Sequence, residues 1–235
     1  NAFWEQTLIA KLISYSQVGD TTFLGMNAVS KMPMDCQDLI AYCARVSNPS
    51  NQMNSDTSEK LIRYLIKHQH WSPLEMVSAC LEINTTRDIA HQIVRHRSFS
   101  FQEFSQRYAD PKEMGEMFEL CEARLQDTKN RQNSISIDDD DLQSAWNIMQ
   151  QEVIDKAEEA YLWAISNGIA KEQARKVLPE GITKTRLYMK GSLRSWIHYI
   201  ELRSANGTQK EHMDVAIECA KESARIVPLM NDLSS

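Results

Sequence analysis

Alternation of apolar and polar residues with a period of two predicts three longer strands along the chain. They are expected over 8–15, 76–83 and 183–190. In the second strand, the side chains expected on the buried face are Val77, Ala79, Leu81 and Ile83. Turn-forming residues follow the first strand at Gly19-Asp20 and at Gly25. The pattern therefore predicts a sheet that is buried on one face.

Apolar residues spaced three and four positions apart predict helices around these strands. The predicted helical segments are 38–46, a helix starting near Asp56, 86–97, a long helix from the acidic run 138–141 to 166, 170–178, a helix capped by Ser192, and a last helix opened by a capping box at 208–211. The polar segment 110–137 is expected to hold a helix and a mobile loop. The last helix is expected to be structural, with a buried face of Ala216, Cys219, Ala220, Ile226 and Val227. The chain is thus predicted to mix α and β structure.

The helix predicted over 86–97 ends in a group of cationic side chains. The residues expected on its buried face are Ile89, Ala90, Ile93 and Val94. Those expected on the opposite face are Gln92, Arg95 and His96. After Arg97 the period changes to two, so we expect two arginines, an imidazole, the Glu103 carboxylate and hydroxyl groups in one small volume. The guanidinium groups of such arginines match the geometry of a phosphate, so this cluster can be interpreted as a phosphate-binding site. The alternative interpretation is a basic helix end that is exposed to solvent and favoured by the helix dipole.

Composition narrows the class of ligand. A chain of 235 residues with 42% hydrophobic and 25% charged residues can form one globular domain with a sizeable core. The formal net charge of −6 argues against a nucleic-acid polymer as partner, because such binders carry a broad basic surface. Arginines clustered in an acidic chain fit a small anionic ligand better.

The cysteine pattern and the lengths of the apolar segments predict the cellular compartment of the protein. The five cysteines are odd in number and form no Cys-x-x-Cys pair, which fits a reducing compartment without a disulfide framework or zinc site. The sequence shows no signal-peptide pattern and no apolar run of about 18 residues, so we expect a cytoplasmic protein without a membrane partner. A Gly-x-Gly-x-x-Gly motif and a Walker loop are also lacking from the sequence, so neither of these glycine-rich nucleotide-binding turns is predicted.

One motif is long enough to point to a family. It reads Arg95-His96-Arg97, seven further residues and then Ser105, followed by Gln-Arg-Tyr. This spacing resembles the signature of the flavin-dependent thymidylate synthases. Further blocks similar to that family are Ala44-Arg45-Val46-Ser47, 68–75, Ala174-Arg175 with Leu178-Pro179, and 191–198 with Leu202-Arg203. The chain departs from the family pattern, which often has asparagines and a histidine there, at Ser192, His198 and Gly207.

The resemblance implies a fold, a reaction and an assembly. The implied fold is α+β, a twisted, mostly antiparallel sheet flanked by helices, with residues 1–235 forming a single domain. The implied reaction converts dUMP to dTMP, with 5,10-methylenetetrahydrofolate as one-carbon donor, FAD as hydride carrier and NADPH as reductant. The implied assembly is a homotetramer whose sites are shared between subunits.

The resemblance also implies roles for individual residues. Those implied in binding the nucleotide are Gln92, Arg95, Glu103, Ser105, Gln106, Arg107, Tyr108, Arg175 and Arg203. Those implied in binding the flavin are Ser47, Ser72, Arg95, His96, Arg97, Glu103, Ser192, Arg194 and His198. Those implied in catalysis are Arg203, Ser105, Glu103 and His70. In this scheme Arg203 lowers the pKa of uracil N3, and Tyr108 and His70 line the folate side.

Some of these side chains admit other roles. His68 and His70 form a His-x-His pattern, but residues two apart on a helix point about 200° away from each other, so no metal site is predicted. Arg203 lies on the apolar stripe of its helix and must reach solvent or meet an anion. Ser105 has no neighbouring histidine or lysine base in the sequence, so we expect it to bind the nucleotide, with a nucleophilic role as the alternative.

Two other functions would use the same residues. A non-catalytic nucleotide- or RNA-binding module would use the arginines and aromatic side chains, and a different flavoenzyme would bind a nucleotide without methylating it. Flavin absorbance at about 450 nm in the purified protein would argue against the first alternative. Tritium release from C5-labelled dUMP tests the second.

Overall fold

The computed structural model describes residues 8–19, 35–108 and 116–234, and the predicted α+β class is confirmed. The strands are β1 (Ala10–Tyr15), β2 (Ser78–Thr86), β3 (Ser100–Glu103), β4 (Arg124–Gln126), β5 (Ser134–Ser136) and β6 (Lys184–Ser192). The helices are α1 (Cys36–Ala44), α2 (Ser58–Lys67), α3 (Arg87–Ile93), α4 (Asp140–Ser166), α5 (Lys171–Ala174), α6 (Leu193–Arg203) and α7 (Lys210–Ser223). The turn expected at Gly25 and part of the loop expected in 110–137 lie outside the described residues.

The main sheet has four strands in the order β1-β2-β6-β3, and every neighbouring pair is antiparallel. Side chains alternate between the two faces of a strand, so one face of the sheet collects the apolar residues. The buried residues of β2 and the turn before it are Val77, Ala79, Leu81 and Ile83, each 1% exposed or less. They lie on the face predicted from the sequence.

Helices α6 and α7 cover this buried face. Trp196 of α6 is fully buried, and its indole N–H donates to the carbonyl oxygen of Ala79 on β2 at 3.1 Å. Phe99 packs edge-on against Trp196, with ring centroids 4.9 Å apart. The Phe99 ring also lies against Gly191, where any Cβ atom would collide with it. This glycine therefore lets the chain after α3 approach β6 closely.

The segment before α4 differs from its sequence prediction. In the described part of 110–137, β4 and β5 form a two-stranded hairpin where a helix was expected. Three-residue strands are too short for the period of their apolar residues to identify them. Arg124 on β4 forms an ion pair with Glu211, which ties this hairpin to α7.

Both ends of α4 follow the sequence pattern. Asp139 in the acidic run caps the helix, since its side chain accepts a hydrogen bond from the backbone N–H of Leu142 at 2.9 Å. The helix ends at Ser166 as predicted, and Gly168 then adopts a positive φ of 78°. Among the described residues, none of the helices has both the length and the apolar character needed to cross a bilayer.

The start of α7 corrects the predicted capping box. Gln209 is the N-cap residue and makes no side-chain capping bond. The hydroxyl of Thr208 instead donates to the carbonyl oxygen of Leu202 near the end of α6. The predicted buried face is confirmed, since Ala216, Cys219 and Ala220 are all fully buried.

Candidate active site

Helix α3 ends earlier than predicted, and the Arg-His-Arg motif follows it in a turn. The last helical residue is Ile93, and Val94, expected on the buried face, is 37% exposed. The backbone N–H of His96 bonds to the carbonyl oxygen of Ile93 at 3.1 Å, which continues the chain as a tight turn. Arg95 and Arg97 are exposed, and neither forms an ion pair with a described residue.

His96 and Arg203 are in direct contact. The Arg203 Nε–H donates to His96 Nε2 at 3.0 Å, so this nitrogen of the imidazole is an acceptor. Burial, together with the nearby positive charge of Arg203, lowers the pKa of His96 to about 4. The imidazole is therefore neutral near pH 7. Arg203 is half-buried and forms no ion pair with any carboxylate of the described chain.

A second group of polar side chains, from α3, α6 and the start of α7, adjoins this contact. Gln92 donates through Nε2 to Gln209 Oε1 at 2.9 Å. His212 lies between Gln92 and Tyr199, with its ring nitrogens 3.3 Å from Gln92 Oε1 and 3.2 Å from the Tyr199 hydroxyl. The Tyr199 ring stands edge-on to that of His96, with centroids 4.9 Å apart. We call the set Gln92, His96, Tyr199, Arg203 and His212 the inner cluster.

The sequence analysis missed the contribution of α7, which it treated as purely structural. A signal was present, because His212 precedes Ala216 by four residues and Cys219 by seven, and so lies on the same helical face. A titratable residue on an otherwise apolar stripe needs a polar partner inside the fold. The identity of that partner, Gln92 at 120 positions earlier in the chain, could not be read from the stripe.

Four further predicted nucleotide residues lie outside the inner cluster. We call this set, Glu103, Ser105, Arg107 and Arg175, the outer group. Glu103 accepts a hydrogen bond from the Thr185 hydroxyl at 2.9 Å and lies 3.5 Å from an Arg87 nitrogen. Arg107 Nε donates to Ser105 Oγ at 3.5 Å. Arg175 directly follows α5, which packs against the 3-10 turn Gln106–Tyr108.

Within one chain, the inner cluster and Glu103 lie near opposite ends of α3. Arg87, the first residue of α3, contacts Glu103, whereas His96 lies three residues beyond its end. A helix of seven residues spans about 10 Å. Glu103 contacts Arg87 and Thr185 but no member of the inner cluster, and the expectation that the motif gathers all these groups in one small volume stays a prediction. Between His96 and Glu103 the chain forms a turn, closed by the bond from the Phe99 N–H to the carbonyl oxygen of His96, and then β3.

Gln106 and Tyr108 complete the predicted nucleotide residues. Gln106 is 5% exposed, and its Nε2 has no hydrogen-bond partner among the described residues. The backbone of Tyr108 closes the 3-10 turn that begins at Gln106. The resemblance implies that both contact the substrate, and the structure leaves that prediction untested.

The predicted flavin residues from two distant blocks come together beside α6. Ser192 caps α6 by accepting a hydrogen bond from the Ser195 N–H at 3.3 Å. Arg194 forms an ion pair with Glu75 at 3.1 Å, at the end of the 3-10 turn Ser72–Glu75. The ring of His198 lies edge-on to that of Trp71 at 4.4 Å. The segments around 70–75 and 192–198 thus share one exposed surface.

Ser47 lies on the exposed turn after α1. Its neighbour Arg45 is only 8% exposed and anchors the following loop, since its guanidinium donates to Asn54 O and to the Thr57 hydroxyl. The family-like block Ala44-Arg45-Val46-Ser47 therefore contains one residue with a clear structural function next to one that is open to solvent.

The His68–His70 pair lies outside a helix, because α2 ends at Lys67. The helix-based argument against metal binding therefore does not apply. His68 stacks on Tyr64 with ring centroids 4.0 Å apart, and the N–H of His70 bonds to the carbonyl oxygen of Leu65 at 2.8 Å. Within the described ranges there is no group of three or more His, Cys, Asp or Glu side chains suited to a metal ion.

Cysteine chemistry is disfavoured at four thiols. Burial raises the pKa of Cys36 to about 11 and also raises the pKa values of Cys43, Cys80 and Cys219. The nucleophilic form of cysteine is the thiolate, which these environments oppose near pH 7.

Known proteins resemble this chain over most of its length. A sequence model of the family described as "Thymidylate synthase complementing protein" matches residues 29–229. The chain is 51% identical over 183 residues to a "Probable flavin-dependent thymidylate synthase" of Paramecium bursaria Chlorella virus 1, with 78% of this chain and 83% of the relative covered. It is 52% identical over 189 residues to the flavin-dependent thymidylate synthase of a Synechocystis species, with 80% and 85% covered.

A solved structure shares the fold. The crystal structure of the UMP/dUMP methylase PolB from Streptomyces cacaoi, bound with 5-Br dUMP, superposes with a TM-score of 0.72 at 23% sequence identity. The match covers 95% of this chain and 93% of that one. Together with the sequence relatives, these findings show that the chain belongs to the flavin-dependent thymidylate synthase family.

Proposed function

We propose that this protein converts dUMP to dTMP, using 5,10-methylenetetrahydrofolate as one-carbon donor, FAD as hydride carrier and NADPH as reductant. Membership of the family and the names of its relatives support this activity. The observation that carries it is the state of Arg203, a half-buried guanidinium whose described partner is a neutral imidazole. A buried charge without a counter-ion is costly, so this position favours an anionic ligand.

Arg203 supplies the electrostatic part of the reaction. Methylation at C5 of uracil needs electron density at that carbon, and loss of the N3 proton increases it. A guanidinium beside the ring favours the N3 anion and so lowers the pKa of N3. The bond from Nε to His96 fixes the guanidinium plane and leaves the two terminal nitrogens to face the ligand. Gln92, Arg95, Arg107 and Arg175 then bind the rest of the nucleotide, including its phosphate.

Ser105 is assigned to nucleotide binding. Activation of a serine nucleophile needs a base within hydrogen-bond reach. The described contact of its hydroxyl is instead the guanidinium of Arg107, which cannot accept a proton. A positively charged neighbour suits a hydroxyl that helps to bind phosphate.

The exposed basic side chains fit a flavin dinucleotide. Its diphosphate needs donors with charge, and Arg97 is an exposed guanidinium without an ion pair to the described chain. His96, Arg194 and His198, with Ser47, Ser72 and Ser192, are further groups that we expect to hold FAD. When bound, FAD supplies the hydride that completes the methyl group. His70 and Tyr108 are expected to line the folate side.

The proposed assembly is a homotetramer in which two chains complete each site. In one chain Glu103 contacts Arg87 and Thr185 and no member of the inner cluster, so we expect a second copy to supply part of each site. α4 also exposes large apolar side chains, which favour burial between copies: Trp146, Ile148, Met149, Val153 and Trp163.

The activity is tested by tritium release from C5-labelled dUMP with the purified, flavin-containing protein. Release is expected when NADPH and methylenetetrahydrofolate are both present, and it should stop when either is omitted. A yellow protein that binds dUMP but releases no tritium would contradict methylation and favour another flavoenzyme. A colourless protein that binds RNA would favour the non-catalytic module.

A further inference from the structure

His212 of α7 is a buried titratable residue that the sequence motif does not include. Its side chain is fully buried, and its ring lies 5.8 Å from that of Tyr199 and 6.4 Å from that of His96, measured between centroids. Burial of an imidazole is costly unless its nitrogens find partners. Those partners therefore indicate why a histidine occupies this position.

Both ring nitrogens of His212 have a partner. Nδ1 faces Gln92 Oε1 at 3.3 Å, and Nε2 faces the Tyr199 hydroxyl at 3.2 Å. Because an amide oxygen only accepts, Nδ1 must carry the proton, and Nε2 then accepts from the Tyr199 hydroxyl. Burial, together with the nearby Arg203 and His96, lowers the pKa of His212 to about 3, so the ring stays neutral in this tautomer.

These contacts fix the orientation of the Gln92 amide. Its oxygen faces His212, and one of its two N–H groups donates to Gln209 Oε1 at 2.9 Å. With Nδ1 of His212 protonated and Gln209 oriented as it is, a reversed amide would direct an N–H at the N–H of His212 and an oxygen at the oxygen of Gln209. Helix α7 therefore selects one of the two orientations, and Gln92, which is only partly buried, presents its second N–H as a donor.

We propose that His212 is a positioning residue that holds Gln92 as a hydrogen-bond donor to an oxygen of the bound nucleotide. The inference rests on the proposed function, because that function makes Gln92 a nucleotide contact. His212 also supports the other side of the inner cluster, since its partner Tyr199 packs edge-on against His96, the acceptor for Arg203. The buried His212 thus supports Gln92 directly and Arg203 indirectly, through Tyr199 and His96.

The test compares two substitutions at position 212 in the flavin-containing enzyme. His212→Phe keeps a planar ring but removes both nitrogens, whereas His212→Asn keeps a donor near the Nδ1 position. We expect His212→Phe to raise the KM for dUMP about ten-fold while flavin content is retained, and His212→Asn to recover most of that loss. Measuring kcat separately distinguishes weaker nucleotide binding from general damage.

Val215→Ala is the matched control. Val215 is 2% exposed and lies one turn further along α7, so its truncation removes buried packing without removing a polar group. This variant should melt at a lower temperature and keep the wild-type KM for dUMP. An equal rise in KM for Val215→Ala and His212→Phe, or a wild-type KM for His212→Phe, would overturn the proposal.

Tyr199→Phe decides the question if His212→Phe does not fold. It removes the hydroxyl that donates to Nε2 while keeping the ring, so a KM increase of about three-fold is expected, and an unchanged KM overturns the proposal. The wild-type assay separates the two claims. Tritium release by the wild type supports the proposed function, whatever the variants show. If the wild type releases no tritium, the proposed function is rejected before any variant is compared.

Discussion

The inner cluster and the outer group differ in how much of their geometry one chain determines. In the inner cluster, Arg203, His96, Tyr199, His212 and Gln92 contact one another in a continuous series. In the outer group, Ser105 and Arg107 bond to each other, and Arg175 forms no ion pair within the described chain. The inner cluster is thus organised within one chain, and in the outer group Glu103 is also held, by Thr185 and Arg87. We expect Ser105, Arg107 and Arg175 to acquire their final geometry from a ligand or a second chain.

This difference follows from burial. Polar groups taken out of water must be paired within the fold, and pairing fixes their orientation. Arg107 is exposed, and water screens the contacts of an exposed arginine, so such contacts constrain its orientation less. The predictions below perturb the two regions in turn.

Removal of Arg203 should have the largest effect. Arg203→Ala is expected to lower kcat at least about 1000-fold, because it removes charge stabilisation at the reacting ring, while FAD remains bound. Arg203→Lys restores a positive charge but not the planar fork, and should recover little activity. Tritium release and flavin content measure the two effects, and near-wild-type turnover in Arg203→Ala would remove the proposed role.

Acid should destabilise the protein through the inner cluster. Burial lowers the folded-state pKa values of His96 to about 4 and of His212 to about 3, from the usual 6.5. The stability that these histidines contribute is present above the unfolded pKa, because neither state is then protonated. It is lost as pH falls, because the unfolded chain binds protons that the folded chain excludes. The two residues together should cost up to about 3 kcal/mol per pH unit between about pH 6 and about pH 4.

Denaturant unfolding at several pH values measures this slope. His212→Phe should remove about half of it, since one of the two groups no longer titrates in the unfolded state. Besides burial, Arg203 lowers the pKa of both histidines, and His96 lowers the pKa of His212. A slope that is the same in His212→Phe and in the wild type would contradict a buried neutral His212.

Ser105→Ala tests the outer group and should have a moderate effect. We expect the dissociation constant for dUMP to rise about ten-fold, because one hydrogen bond to a charged ligand is lost, while product formation continues at saturating dUMP. Titration of the flavin-containing protein with dUMP, followed by a difference spectrum, gives the affinity. Complete loss of turnover with intact dUMP binding would instead identify Ser105 as a nucleophile.

Glu75→Gln should have the smallest effect. Its ion pair with Arg194 joins two exposed side chains, at 38% and 43% exposure, and such pairs contribute less than about 1 kcal/mol. The melting temperature should therefore change little, and FAD should bind at least as well, because Arg194 is released for the flavin. A large loss of stability would show that this contact organises the flavin surface.

The sequence predicted what local patterns encode. Alternation identified the buried residues of β2, and the acidic run at Asp139 and the serine at Ser192 identified two helix caps. Prediction from sequence failed where the end of a helix, or the partner of a side chain, depends on residues far away in the chain. α3 ends at Ile93 because the following residues turn so that Phe99 can pack on Gly191 and Trp196, and no local signal records that contact.

The candidate site shows the same division. The Arg-His-Arg motif and Arg203 were each identified as candidate site residues, but the contact between His96 and Arg203 was not predicted. The role of His212 was missed, because it depends on Gln92 from another helix.

Complementation between two inactive variants tests the central claim most directly. Arg203→Ala disables the inner cluster, and the double variant Arg107→Ala/Arg175→Ala disables the outer group. Co-expressed with different tags and purified through both, they should recover about a quarter of the wild-type activity, because random pairing leaves that share of shared sites with two intact halves. Activity no higher than that of either variant alone, in a mixed oligomer that binds FAD, would contradict a site built from two chains.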